Sequence, residues 1–163
     1  RHVRPAGRQP RGRGAGTGHT EASRVDDDRL SPNGWAPAAP GPQPGLGWFY
    51  GGSFLTGSTR DPTIDGARLA ARGSMVVVSI GYRVGALGFL TIGDTNCGLR
   101  DQLCGLRWVR EHIGAFGGDR SELTVEGGSA GGRPGVHPWD GLGAVGRCTH
   151  AILLSGAPRS SAA

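Results

Sequence analysis

Gly127-Gly128-Ser129-Ala130-Gly131 sets a serine between glycines at G-x-S-x-G spacing. A serine hydroxyl is a poor nucleophile unless it is held exposed and near a base. A tight turn from strand to helix provides the exposure, and glycines flank it because a Cβ there would strike neighbouring backbone. Leu123-Thr124-Val125, just upstream, reads as the strand such a turn requires. With 32 glycines in 163 residues the pentapeptide also arises by chance, so its weight rests on what accompanies it. Tyr50-Gly51-Gly52-Ser53-Phe54 is a second glycine turn after an earlier apolar run. Turns of this kind aim backbone N–H groups at an oxygen that is gaining negative charge. An ordinary glycine turn is the alternative. Two such turns, each after a predicted strand and in this order, are much harder to obtain by chance.

The elements that must position these residues are legible as alternating patterns. Leu46 to Tyr50 reads as a short buried strand, and Met75 to Ile80 as a continuous β-branched run suited to a strand covered on both faces. Thr63 to Arg72 reads as a helix capped by Thr63 or Asp61 and stopped by Gly73. Leu99, Leu103, Leu106, Val109, Ile113 and Phe116 recur at spacings of three and four, which predicts an apolar stripe on a helix over Leu99–Phe116. Ala151 to Leu154 reads as a last strand. Strands alternating with helices imply crossover connections and a parallel sheet. Residues 133–148 break the pattern, with two prolines, four glycines and no helical stripe. Residues 1–45 read as a disordered or irregular Arg-, Gly- and Pro-rich segment, and 46–163 as the folded domain.

Charge narrows the function classes. All 18 basic residues are arginines, and the formal charge is +5. Five of those arginines lie in the first 20 residues with no acid beside them, and the rest of the chain balances. The folded part therefore lacks the basic surface that a nucleic-acid partner needs. Cys97, Cys104 and Cys148 are odd in number and lack metal-ligand spacing, which argues against a disulfide framework or a metal site. No apolar run is long enough to span a bilayer. The first residues lack the apolar stretch of a secretory leader and do not begin with Met, so the compartment, cytoplasmic or secreted, stays open. Gly141 to Gly146 fits GxGxxG but follows no strand, and Arg11-Gly12-Arg13-Gly14 reads as solvated tail.

Longer blocks point to a family. Trp48–Ser58, Asp65–Gly73, Val76–Leu90, Asn96–Asp119 and Leu123–Gly132 resemble the type B carboxylesterase/cholinesterase family, as does the closing His150–Pro158, and together they cover roughly two-thirds of the chain. The resemblance lapses over 133–148 and resumes at the expected distance, as a local frameshift would leave it. It implies an α/β-hydrolase fold, here an incomplete, doubly wound and mostly parallel sheet. It implies Ser129 as the nucleophile, with the N–H groups of Gly52, Ser53 and Ala130 as oxyanion donors. The substrate class would be a small-molecule carboxylic ester, with no metal or organic cofactor. The chain departs from the family at Ser53 and Gly128, where Gly and Glu are usual, and at Glu126, where an apolar residue usually ends the strand. It departs also at Arg120, where Pro is usual, and at Gly34, Gly45 and Gly47, where apolar residues are favoured.

In the family the triad acid and histidine follow the nucleophile in the chain. His2 and His19 lie in the tail, His112 on the long helix, His137 in the anomalous stretch and His150 at a strand start. None suits the base. The expectation is a form of the esterase that lacks the triad acid and histidine. The alternative is a catalytically inactive fragment or pseudoenzyme, or a cholinesterase-like binding protein, although adhesion proteins of that kind have lost the serine retained here.

Overall fold

Valine and isoleucine favour extended backbone, and Val76–Ile80 (β3) is an interior strand of the sheet with every residue buried. In the computed structural model, residues 31–61, 65–90, 96–132 and 148–155 are described. The other strands are Asn33–Trp35 (β1), Gln43–Phe49 (β2), Gly118–Gly128 (β4) and His150–Leu154 (β5). Their order across the sheet is β1-β3-β2-β4-β5. β1 runs antiparallel to β3, and the β3–β2, β2–β4 and β4–β5 pairs are parallel. This is the mostly parallel sheet expected from the alternation of patterns.

Both faces of the sheet are covered. On one, Phe49, Val76, Val78, Ile80, Leu123 and Val125 pack with Leu106 and Val109 of the helix Cys97–His112 (α3) and with Ile113 beyond it. On the other, Leu46 and Val77 pack with Ala70 of the helix Ala67–Gly73 (α1), flanked by Trp35 and Met75. A four-residue helix, Ala86–Phe89 (α2), lies between β3 and α3.

Several boundaries differ from the sequence reading. The sheet begins before Leu46, since β1 and the start of β2 fall in the stretch read as irregular. Asn33-Gly34-Trp35 has no apolar run, and its pairing comes from Ser79, Val78 and Val77. Residues 1–30 and 133–147 lie outside the described residues. Helix α1 starts at Ala67, and its N–H donates to Asp65 Oδ1 at 2.9 Å, while Thr63, one of the two expected caps, lies outside the described residues. The chain leaves α1 at Ser74, which takes a left-handed conformation at φ 47°.

Helix α3 is capped by Asn96, whose side chain accepts the Leu99 N–H at 3.1 Å. Its buried face is rotated from the predicted leucine stripe. Gly98, Asp101, Gln102, Leu106 and Val109 are buried, whereas Leu99 and Leu103 are half-buried and Phe116 is exposed. A Cβ on Gly105 would collide with Ile80 Cγ2, so α3 approaches β3 closely along its glycine-bearing side. The helix proper ends at His112, and a 3-10 turn carries the chain through Ile113–Phe116.

Candidate active site

Strand β4 ends at Gly128, and Ser129 follows at φ 51°. A non-glycine residue held at positive φ is strained, and such strain is kept where surrounding structure over-determines it. Here a 3-10 turn, Ser129–Gly132, begins at once, with Ala130, Gly131 and Gly132 buried and Ser129 exposed. The glycines at either end of the motif have a steric reason. A Cβ on Gly127 would strike the Gly131 carbonyl, and one on Gly131 would strike the Phe49 and Tyr50 carbonyls.

The second glycine turn packs against this elbow. A Cβ on Gly51 would stand 2.8 Å from the Gly128 carbonyl oxygen and 3.2 Å from Ser129 Cβ. Gly52, Ser53 and Phe54 all have positive φ, at 121°, 55° and 62°. The Gly52 carbonyl turns back to accept from Leu55 N–H at 2.9 Å and Thr56 N–H at 3.1 Å. Within the described residues the Gly52 and Ser53 N–H groups take no protein acceptor. Ala130 N–H lies in the first turn after β4, where a helical segment has no internal acceptor for it.

Ser129, Gly51, Gly52 and Ser53 line one open cleft of about 410 Å3 with Trp48, Tyr50, Gly57, Ser58, Asp61, Gly128, Leu154 and Ser155. Ser53 is exposed on its wall. Trp48 is half-buried, and its Nε1 is buried with no hydrogen-bond partner among the described residues. Its ring occupies the space beside Gly128, 3.2 Å from where a Cβ on that glycine would stand. Glu126, opposite Trp48 in the β2–β4 register, is half-buried, and burial raises its carboxyl pKa.

Support for the glycine turn comes from Tyr82, Arg83, Gly85 and Asp101, to which the sequence reading gave no role. Tyr50 and Tyr82 stack at 4.3 Å between ring centroids, and each hydroxyl donates to the other's carbonyl at 2.6 Å. Tyr82 is fully buried, which drives its phenol pKa far up. Gly85 N–H donates to the Phe54 carbonyl at 2.6 Å, and Phe54 packs on Phe89. Arg83, between Tyr82 and Gly85, makes a two-pronged ion pair with Asp101 of α3, at 2.7 Å for both Nε and Nη2, and its backbone N–H donates to the same carboxylate at 3.0 Å. The hydrogen bond to Asp101 raises the Arg83 pKa. No local spacing relates Tyr50 to Tyr82, so a pattern search along the chain does not find the pair.

The histidines lie elsewhere. His112 stacks on Trp108, with Nδ1 2.8 Å from the Trp108 carbonyl, and is exposed. Neither His112 nor His150 lines the cleft. His2, His19 and His137 fall outside the described residues. Among the described residues no group of three His, Cys, Asp or Glu side chains could hold a metal ion, and no helix is long and apolar enough to cross a membrane.

Comparison with known proteins agrees with this architecture. The para-nitrobenzyl esterase of Bacillus subtilis is 41% identical over 149 residues, which is 87% of this chain and 30% of that protein. Acetylcholinesterase of Danio rerio is 41% identical over 146 residues, 83% of this chain and 23% of that protein. The solved structure of a thermophilic PNB esterase superposes with a TM-score of 0.82 at 36% sequence identity, over 96% of this chain and 34% of that one. The chain thus spans about a third or less of the length of these relatives. The fold is that of the α/β hydrolases. The carboxylesterase family profile matches residues 4–163, and the chain belongs to the carboxylesterase family.

Proposed function

We propose that Ser129 is the nucleophile of a carboxylic ester hydrolase. The observation that carries this reading is the strained, exposed Ser129 at the end of β4, facing the Gly51–Phe54 turn across one cleft. Ser129 Oγ attacks the ester carbonyl carbon and gives up its proton to a base. The carbonyl oxygen becomes an oxyanion, accepting hydrogen bonds from the N–H groups of Gly52, Ser53 and Ala130. Collapse expels the alcohol and leaves an acyl-enzyme, and water then releases the acid. No histidine among the described residues lines the cleft, so the base in this scheme is drawn from outside them.

In a serine hydrolase that has lost its nucleophile or its base, binding and oxyanion stabilisation alone keep about 10³–10⁴-fold catalysis over water, so bulk turnover does not by itself report on Ser129. The test is therefore acylation of residue 129 by p-nitrophenyl acetate on the 163-residue chain, read by mass spectrometry. Ser129→Ala abolishes that acylation, and His112→Ala leaves it intact. Labelling at Ser129 by a fluorophosphonate, read by mass spectrometry, supports the reading. Turnover by the wild-type chain with no acylation or labelling at Ser129 overturns it. Absence of both turnover and labelling favours a non-catalytic binding role.

A further inference from the structure

We propose that Tyr82 is a positioning residue for the oxyanion turn, an inference that rests on the nucleophile reading of Ser129. Both ends of that turn are tied to one short segment after β3. At its start, the Tyr50 carbonyl accepts the Tyr82 hydroxyl at 2.6 Å. At its end, the Phe54 carbonyl accepts the Gly85 N–H at 2.6 Å. The segment between these ties is itself anchored to α3 through Arg83 and Asp101. The backbone between the ties runs through three consecutive positive φ angles, a conformation that a free loop does not hold.

The contact with the elbow shows what the tie controls. The Tyr50 carbonyl that receives the Tyr82 hydroxyl also lies where a Cβ on Gly131 would fall, so it is wedged between the aromatic pair and the Ser129 turn. A shift of that carbonyl carries Gly51, which abuts the Gly128 carbonyl and Ser129 Cβ, and with it the N–H groups of Gly52 and Ser53. Tyr82 touches no substrate on this account. It sets the distance between oxyanion donors and nucleophile from below.

A core substitution away from the cleft supplies the control. Val109→Ala removes packing on the buried face of α3, yet leaves the tie on the Tyr50 carbonyl in place. Tyr82→Phe removes that tie and preserves the stack. Phosphonylation of Ser129 by a fluorophosphonate is followed to saturation on the full chain, with rates normalised to the folded fraction from near-ultraviolet circular dichroism. The limiting rate constant is expected to fall about 10²-fold in Tyr82→Phe, the scale of a small misplacement of reacting groups, with half-saturation unchanged. In Val109→Ala it stays within about threefold of wild type, although that variant loses core packing. A Tyr82→Phe limiting rate equal to wild type, or equal falls in both variants, overturns the positioning role alone. Absence of Ser129 labelling in the wild-type chain overturns the nucleophile reading and this proposal with it.

Discussion

Ser129 shows how much a single backbone angle can ask of its neighbours. Its φ of 51° is compatible with the fold only because Gly127 and Gly131 let carbonyls pass where side chains would otherwise stand. Gly131→Ala should therefore be costly, since the obstacles are the Phe49 and Tyr50 carbonyls and backbone cannot rotate away. We expect a loss of about 1–3 kcal/mol in thermal or urea melts, together with loss of Ser129 labelling. Glu126 is the opposite case, a side chain that its site tolerates poorly. Burial raises its folded pKa, so the folded state binds this proton more tightly than the unfolded chain does. Its contribution to stability is unfavourable above that raised value. The penalty lifts as the pH falls through the raised value toward the ordinary glutamate range. Glu126→Gln should raise Tm at neutral pH and flatten the part of the pH–Tm curve that Glu126 governs. An unchanged curve would show that the carboxylate is solvated in the folded state. The motif at Ser129 and the second turn were legible because glycines at fixed spacing are a local signal. Tyr82 was not, because its work is done against a residue thirty-two positions away.

Elements were legible in proportion to how local their causes are. β3 announces itself through five consecutive strand-forming or small residues, all of them buried. β1 does not, because it owes its extended form to pairing with β3. Helix α3 was located correctly, and Leu106, Val109 and Ile113 of the predicted stripe are buried, but Leu99 and Leu103 are half-buried and Phe116 is exposed. Spacing identified the leucines, whereas the buried face is decided by Gly105 passing close to Ile80 and by Asp101 meeting Arg83. Neither a glycine nor an aspartate contributes to an apolar stripe. Asp101→Asn tests the weight of that second contact. Asp101 is buried while Arg83 is partly exposed, so solvent screens one half of the pair. We expect a loss of about 2 kcal/mol in chemical denaturation, in the range of a hydrogen bond to a charged group and below the cost of breaking a fully buried pair. A loss under about 0.5 kcal/mol would mean that α3 and the segment after β3 hold together without it.

At the scale of the molecule, β5 is the exposed margin of the described sheet. Ile152 and Leu154 are 44% and 46% exposed on the same face, next to a strand edge that pairs with β4 on one side only. An apolar strand edge is a template for another chain. The 163-residue chain should self-associate with rising concentration in sedimentation velocity, and Ile152→Lys should reduce the effect. A monomer at all concentrations would place that edge under cover. The sheet order has a further consequence for how the molecule comes into being. β2 and β4 lie side by side, yet Leu46 and its partner Thr124 are roughly eighty residues apart in the chain. Closing so long a loop costs entropy before any contact rewards it. β1, β2 and β3 can meet first, because they come early and close together. On a ribosome the glycine turn after β2 would then be shaped well before the serine it faces has been made. The late strand arrives at a prepared edge.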